Sequence, residues 1–345
     1  MKKGMIAKKD FLHSLKSLLN EYRLIAPAKE DDAPLFKEID KDTEFALEAI
    51  HTINSPKIAF FPQSEVLIRY KKGEKGMEAI KEEIKAKPTL LFGTRPCDAK
   101  SFIILDKIFD DKDYPDPYYI SKRKNTTIIT IGCTHPLKTC FCTTLGDSPF
   151  NTEGSDIFLT DLGDEYIVES LTDKGESLLS KFPKLKDMTS SHEEKKKKLE
   201  EEATKELVKY PSVDDVKKKL DKIFEHPFWD TLFLKCLGCG TCTYGCPTCH
   251  CFDIVDEGND QGGIRLRNWD SCMYNLFTLH ASGHNPRPTQ KERIRQRIMH
   301  KFKYFIDNYG IVGCVGCGRC VINCPANMDL RKVTKDINEI VEVEK

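Results

Sequence analysis

The sequence predicts an α/β domain over residues 1–185, a helical linker over 186–230, and a helical, cysteine-rich domain over 231–345. Three observations point there. A strand, helix, strand alternation runs from residue 89 to 132. Helical periodicity returns after residue 289. Eleven of the 15 cysteines lie at or beyond Cys236. A chain of 345 residues suits about two domains at roughly 150 residues each.

In chain order, Phe11, Leu12, Leu15, Leu18 and Leu19 form one apolar helical face. Residues 57–70 have strand character in two pieces split by Pro62, and TLLFG (89–93) reads as a buried strand. Asp98 is placed to cap the next helix, whose apolar positions are Phe102, Ile103, Leu105 and Phe109. NTTIITIG (125–132) is β-branched and strand-like, and its default pairing with the earlier strand is parallel with a right-handed crossover. Residues 156–170 suit a hairpin turning at Leu162, Gly163 and Asp164. The lysine- and glutamate-rich stretch 190–210 suits a solvated helix. Ser212 with Asp215 caps another helix, with Val216, Leu220, Ile223 and Phe224 as its apolar face. Thr289 with Glu292 has the spacing of a capping box; Ile294, Ile298, Phe302, Phe305 and Ile306 follow, and Gly310 closes the helix. Leu330, Val333, Ile337 and Val341 mark the last helix.

Composition excludes several classes. Lys plus Arg equals Asp plus Glu at 54 each, which argues against a basic nucleic-acid binder and an acidic disordered chain. No uncharged apolar run approaches the roughly 20 residues of a membrane span, and the charged N-terminus lacks a secretory cleavage site. The expectation is a soluble cytoplasmic protein. In a reducing cytoplasm, closely spaced thiols bind metal or carry redox chemistry rather than forming a disulfide framework.

Two runs carry the chemistry. CLGCGTCTYGCP (236–247) and CVGCGRCVINCP (314–325) both read C-x2-C-x2-C-x3-C-P, the bacterial ferredoxin-type spacing for a [4Fe–4S] cluster. Three thiolates two residues apart let one tight loop reach three iron corners, and the proline turns the chain away after the fourth cysteine. In two-cluster proteins that fourth cysteine serves the other cluster. One cluster is therefore assigned to Cys236, Cys239, Cys242 and Cys324, the other to Cys314, Cys317, Cys320 and Cys246. Structural zinc would leave the third closely spaced cysteine and the repeated Cys-Pro without a role. The long helical insert between the runs is similar to α-helical ferredoxin domains, such as that of succinate dehydrogenase iron–sulfur subunits.

Further strings extend the likeness through most of the chain: GTRPCD (93–98), CFC (140–142), EHPFWD (225–230), PTCHCFD (247–253), WDSC (269–272) and GHNPRP (283–288). With both cysteine runs, they make the sequence resemble the β subunit of cytoplasmic sulfhydrogenases (NiFe hydrogenase/sulfur reductase) and the corresponding electron-transfer subunit of anaerobic sulfite reductase. The resemblance implies an electron-transfer subunit between an FAD-binding NAD(P)H-oxidoreductase subunit and a catalytic hydrogenase or reductase subunit.

Four cysteines remain in the α/β domain. Cys97 and Cys133 each follow a strand of the proposed parallel pair and emerge at its carboxyl edge, where open α/β sheets bind ligands. With Cys140 and Cys142 they are expected to hold a third [4Fe–4S] cluster; zinc or inert buried thiols are the alternatives. The C-x-C spacing speaks against convergence if that segment is extended. Cys249, Cys251 and Cys272 are expected to pack against the cluster domain, and His250, His280 and His284 to be uncharged core or surface residues. The basic run Arg287–Lys303 reads as a solvated face, with a sharper alternative in which it raises a cluster's potential or steers an acidic partner. No GxGxxG or Walker motif suggests that the chain itself binds nucleotide or flavin. The functional expectation is one-electron relay. A stand-alone sulfur or sulfite reductase component and an iron–sulfur redox sensor are the alternatives.

Overall fold

The computed structural model describes residues 2–80, 84 and 86–340. Its first half is built on a seven-stranded mixed sheet. The chain contributes β1 (Lys3–Ala7), β2 (Arg23–Glu30), β3 (Ala33–Glu38), β4 (Ser64–Gly73), β5 (Gly76–Ile80), β6 (Thr89–Thr94), β7 (Thr126–Ile131), β8 (Ile157–Asp161) and β9 (Glu165–Ser170). The large sheet has the order β1-β9-β8-β7-β6-β2-β3. Its centre, β2, β6, β7 and β8, is parallel, and the flanking pairs are antiparallel.

β6 is buried at every residue, as parallel strands covered on both faces must be. The crossover from β6 to β7 carries two helices, Pro96–Phe109 and Pro117–Lys124. The first begins three residues earlier than Asp98 suggests: Pro96 occupies its first turn, and Asp98 sits at the third helical position, accepting the Arg95 amide at 3.2 Å. The 156–170 hairpin forms as expected, closed by the Leu162 amide donating to the Glu165 carbonyl at 2.9 Å.

Residues 57–70 depart from expectation. Only the second piece is a strand, β4; the first is a short 3-10 turn, Pro56–Ala59, capped by Ser55. The apolar residues there serve packing, since Phe60 and Phe61 insert fully into a core with Phe102 and Tyr119. The helix Ser190–Glu206 forms, and Ala203 and Leu199 lay one stripe of it against Phe150 and Phe158. The helix Val213–Leu220 is capped by Ser212 and buries Val216 and Leu220, but Phe224 is exposed and lies under the Arg295 guanidinium.

The cysteine-rich half holds the expected helices Gln290–Met299 and Leu330–Glu339; Val341 lies outside the described residues. A π-type turn, His300–Tyr304, continues the first of them, and Gly310 ends it at φ +70°. This half also contains an unanticipated hairpin, β10 (Phe252–Asn259) and β11 (Gly262–Trp269). β11 pairs with β4 from the first half, giving a second sheet ordered β10-β11-β4-β5. The two halves therefore share a sheet. They also exchange core residues. Phe141 enters the helical core beside Val216, Trp229 and Phe302, while Trp269 enters the α/β core beside Phe60 and Phe61.

Candidate metal centres

The two ferredoxin-type runs fold alike. In each, two glycines take left-handed conformations, Gly238 and Gly240 in the first and Gly316 and Gly318 in the second. Each run ends in a one-turn helix, Thr241–Tyr244 and Arg319–Ile322. In the second run the glycines have a further reason. A Cβ on Gly316 would meet the Cys142 nitrogen at 2.6 Å, and one on Gly318 the Thr139 carbonyl oxygen at 2.5 Å. Backbone of the 139–142 loop thus lies directly on the second run, where the Phe141 amide donates to the Gly316 carbonyl at 2.8 Å.

Cys236, Cys239, Cys242 and Cys324 line one cavity of about 60 Å³, with Cys320 at its edge and walls from Met273, Ile294 and Ile298. The fourth cysteine of the second run has thus crossed to the loop of the first. Reciprocally, Cys246 lies within electrostatic reach of Cys314, Cys317 and Cys320. Burial pushes the Cys320 thiol up and holds that of Cys317 at about 11, so these sulfurs need a cation in contact to ionise near neutral pH. Cys239 is the exposed member, and its thiol is lowered by hydrogen bonds from Thr241.

Donors surround the ligand sulfurs. The Gly238 amide and the Gln290 side-chain amide donate to Cys236 at 3.4 and 3.1 Å, and the Met328 amide to Cys324 at 3.2 Å. The Cys246 sulfur meets the Thr248 hydroxyl at 3.2 Å and the Lys301 ammonium at 3.4 Å.

In the α/β half, Cys97, Cys133, Cys140 and Cys142 come together. Cys140 interacts electrostatically with Cys133, Cys142 and Cys97, and Cys142 with Cys133. The spacing problem is resolved locally. Cys142 opens a 3-10 turn, Cys142–Leu145, so the C-x-C segment is not a strand with opposed side chains. Burial raises all four thiols, Cys142 to about 12.

Three residues that sequence reasoning missed complete this region. His51 places Nε2 3.2 Å from the Cys140 sulfur. Burial, reinforced by Arg319, lowers its imidazole to about 3 and keeps it neutral. Arg319, inside the second run, forms a two-pronged ion pair with Asp98 of GTRPCD at 2.5 and 3.2 Å. The side chains are 1% and 0% exposed. No spacing rule could have found the pair, although both residues lie inside strings already singled out.

The basic run is corrected by the structure. Arg293, Arg297 and Lys301 are buried, because their side chains point inward to carbonyls and sulfurs of the cysteine loops. Burial opposes the charge of Lys301, yet the Cys246, Cys249 and Cys314 sulfurs together hold it above the ordinary lysine range. Cys249, Cys251 and Cys272 line a second small cavity with His250, His300, Arg297 and Lys301. His280 and His284 pair with each other at 5.4 Å between ring centroids.

Residues 235–328 match the family model of a 4Fe–4S dicluster domain. The chain is 34% identical over 332 residues to sulfhydrogenase 2 subunit beta of Pyrococcus furiosus, covering 96% of each chain. It belongs to the sulfhydrogenase beta-subunit family. No solved structure matches. Family membership and the dicluster domain make this an iron–sulfur protein with two [4Fe–4S] clusters in its C-terminal half. Among the described residues, no helix is long and apolar enough to cross a membrane.

Proposed function

We propose that the chain is the electron-relay subunit of a cytoplasmic multisubunit oxidoreductase. It would pass single electrons between an FAD-binding NAD(P)H-oxidoreductase subunit and a catalytic hydrogenase or reductase subunit. In this reading Cys236, Cys239, Cys242 and Cys324 hold one cluster, and Cys314, Cys317, Cys320 and Cys246 the second. Cys97, Cys133, Cys140 and Cys142 hold a third. One observation carries the reading: each run contributes its fourth cysteine to the other run's loop, an exchange that suits two cubanes and serves no purpose for two independent zinc knots.

The donor set fits the group. Buried thiols, amide donors and nearby cations match what an anionic, thiolate-bound cluster needs. When bound, each cluster supplies a one-electron couple whose potential depends on charge, hydrogen bonds to sulfur and burial. The protein's own part is positioning. Met273, Ile294 and Ile298 keep water from the first site, Gly238 and Gln290 orient the Cys236 sulfur, and His51 offers the Cys140 sulfur a neutral partner. The Arg319–Asp98 pair joins the loop of the second site to the helix that follows Cys97.

Anaerobic iron and sulfide analysis of the full chain tests this. Three clusters require about twelve irons and two about eight. A colourless protein holding zinc would overturn the reading. Co-purification from the host should bring down subunits carrying flavin and a catalytic metal centre.

A further inference from the structure

The two C-terminal sites are not electrostatically equivalent. On the Cys236 side, the side-chain donor to sulfur is the neutral Gln290 amide, and Cys239 is open to solvent. On the Cys246 side, the Lys301 ammonium reaches the ligand sulfur at 3.4 Å and is anchored by the Thr248 hydroxyl at 3.0 Å and the Gly313 carbonyl at 2.8 Å. A second lysine arrives from the other half of the chain. Lys57 donates to the carbonyls of Cys246 and Cys249 at 2.9 and 2.8 Å, and its ammonium sits 4.1 Å from the centroid of the Trp269 ring. Lys57 is 2% exposed and Lys301 4% exposed. Among the described residues neither pairs with a carboxylate, so their charge is left to act on the sulfurs. Arg297 is shared, since it donates to the Cys242 carbonyl at 2.9 Å while facing Cys249 at 3.7 Å.

We propose that Lys301 and Lys57 make the site of Cys246, Cys314, Cys317 and Cys320 the better electron acceptor of the C-terminal pair. The inference rests on the two-cluster reading and adds an internal ordering to it. Two effects compete. Burial of the second site disfavours the extra negative charge of reduction and pulls its potential down relative to the solvent-touched first site. The two ammonium groups oppose this, and a charged donor to sulfur outweighs a neutral one about twofold. Two unpaired charges in a dry interior, where screening is weak, exceed the burial difference between sites that are both largely enclosed. The arriving electron therefore rests at the inner site, beside the Arg319–Asp98 seam, and Cys239 marks the outer, surface-facing site of the pair.

Potentiometric titration of the full, anaerobically prepared chain, followed by electron paramagnetic resonance, decides the matter. Lys301→Gln and Lys57→Gln should each move one and the same reduction wave, the higher of the C-terminal pair. The shift should be to lower potential by at least tenfold in equilibrium constant, which is 59 mV for one electron. Lys301→Arg, which keeps the charge, should restore most of it. Gln290→Leu should move the other wave. The proposal fails if the lysine variants leave every wave in place, move the lower wave, or move the same wave as Gln290→Leu. Should Lys301→Gln not assemble, Lys57→Gln alone gives the same reading, because it removes charge without removing a contact to sulfur. Absence of any cluster signal in the unaltered chain would instead refute the relay reading itself.

Discussion

Replacing Asp98 by asparagine removes one negative charge and almost nothing else. The amide oxygen can still accept the Arg95 amide that Asp98 now accepts at 3.2 Å, so the start of the helix Pro96–Phe109 keeps its cap. What goes is the partner of Arg319, whose guanidinium is held by the Asp98 oxygens and by the Thr52 carbonyl at 3.2 Å. Because both side chains are essentially inaccessible to solvent, water cannot take the place of the lost carboxylate. Breaking one side of a buried pair costs about 3–5 kcal/mol, against less than about 1 kcal/mol for an exposed one. Asp98→Asn is therefore expected to lower stability by about 3 kcal/mol, the lower end because the cap survives. Asp98→Asn with Arg319→Met should be less destabilised than Asp98→Asn alone, since no uncompensated charge then remains. Anaerobic urea unfolding, followed by far-UV circular dichroism together with cluster absorbance, provides the measurement. A loss below about 1 kcal/mol for Asp98→Asn, or a double variant worse than the single one by the full cost of a second deletion, would refute the reasoning.

Other expectations follow from particular contacts. Cys133→Ser with Cys140→Ser should drop iron from about twelve to about eight per chain while leaving the C-terminal signals in place; an unchanged count of eight would dispose of the third site. Gly316→Ala should destabilise by at least about 2 kcal/mol and speed iron loss to a chelator, because its Cβ would collide with Cys142 backbone at φ +64°. Gly283→Ala, at φ +82° with open space around it, should cost no more than about 1–2 kcal/mol, and equal effects at the two positions would contradict the close approach. His250 and His300 are held at about 4, chiefly by burial. A histidine depressed in the folded state binds its proton earlier in the unfolded one, so stability should fall as pH drops from about 6.5 toward 4. Each group contributes at most about 2 kcal/mol between pH 6.5 and 5, and His300→Phe should flatten the dependence measured by urea midpoints.

The parts of the molecule that were legible are those governed by local rules. Two cysteine runs with fixed spacing, a β-branched strand, a capping box at Thr289 and Glu292, and a glycine stop at Gly310 each state their structure within a dozen residues. Crossing of Cys324 and Cys246 was also readable, because the cubane imposes it. Long-range decisions were not. β10 and β11 alternate only weakly and gain their apolar contacts from β4, nearly two hundred residues earlier, so the hairpin is invisible without its partner. Residues 57–61 look like a strand because they are apolar, yet their side chains fill a core rather than a sheet face. The run from Arg287 to Lys303 looks solvated because charge is normally outside; here the cysteine loops provide carbonyls and sulfurs that draw three of its cations inward.

The same long-range contacts bear on how a relay of this kind must be built. Electron hopping needs centres at fixed separations, and two domains joined by a flexible linker would let those separations vary. This chain removes that freedom at four independent seams. β11 adds to β4, Phe141 and Trp269 exchange cores, Arg319 clasps Asp98, and Lys57 holds the carbonyls of Cys246 and Cys249. Three of the four place a residue within a few positions of a cysteine proposed to bind iron. A seam that served stability alone could lie anywhere on the boundary. Seams concentrated at the cysteine loops couple folding of the two halves to the spacing of the centres. Loosening any one of them should therefore disturb electron transfer between the α/β site and the C-terminal pair before it disturbs either half on its own.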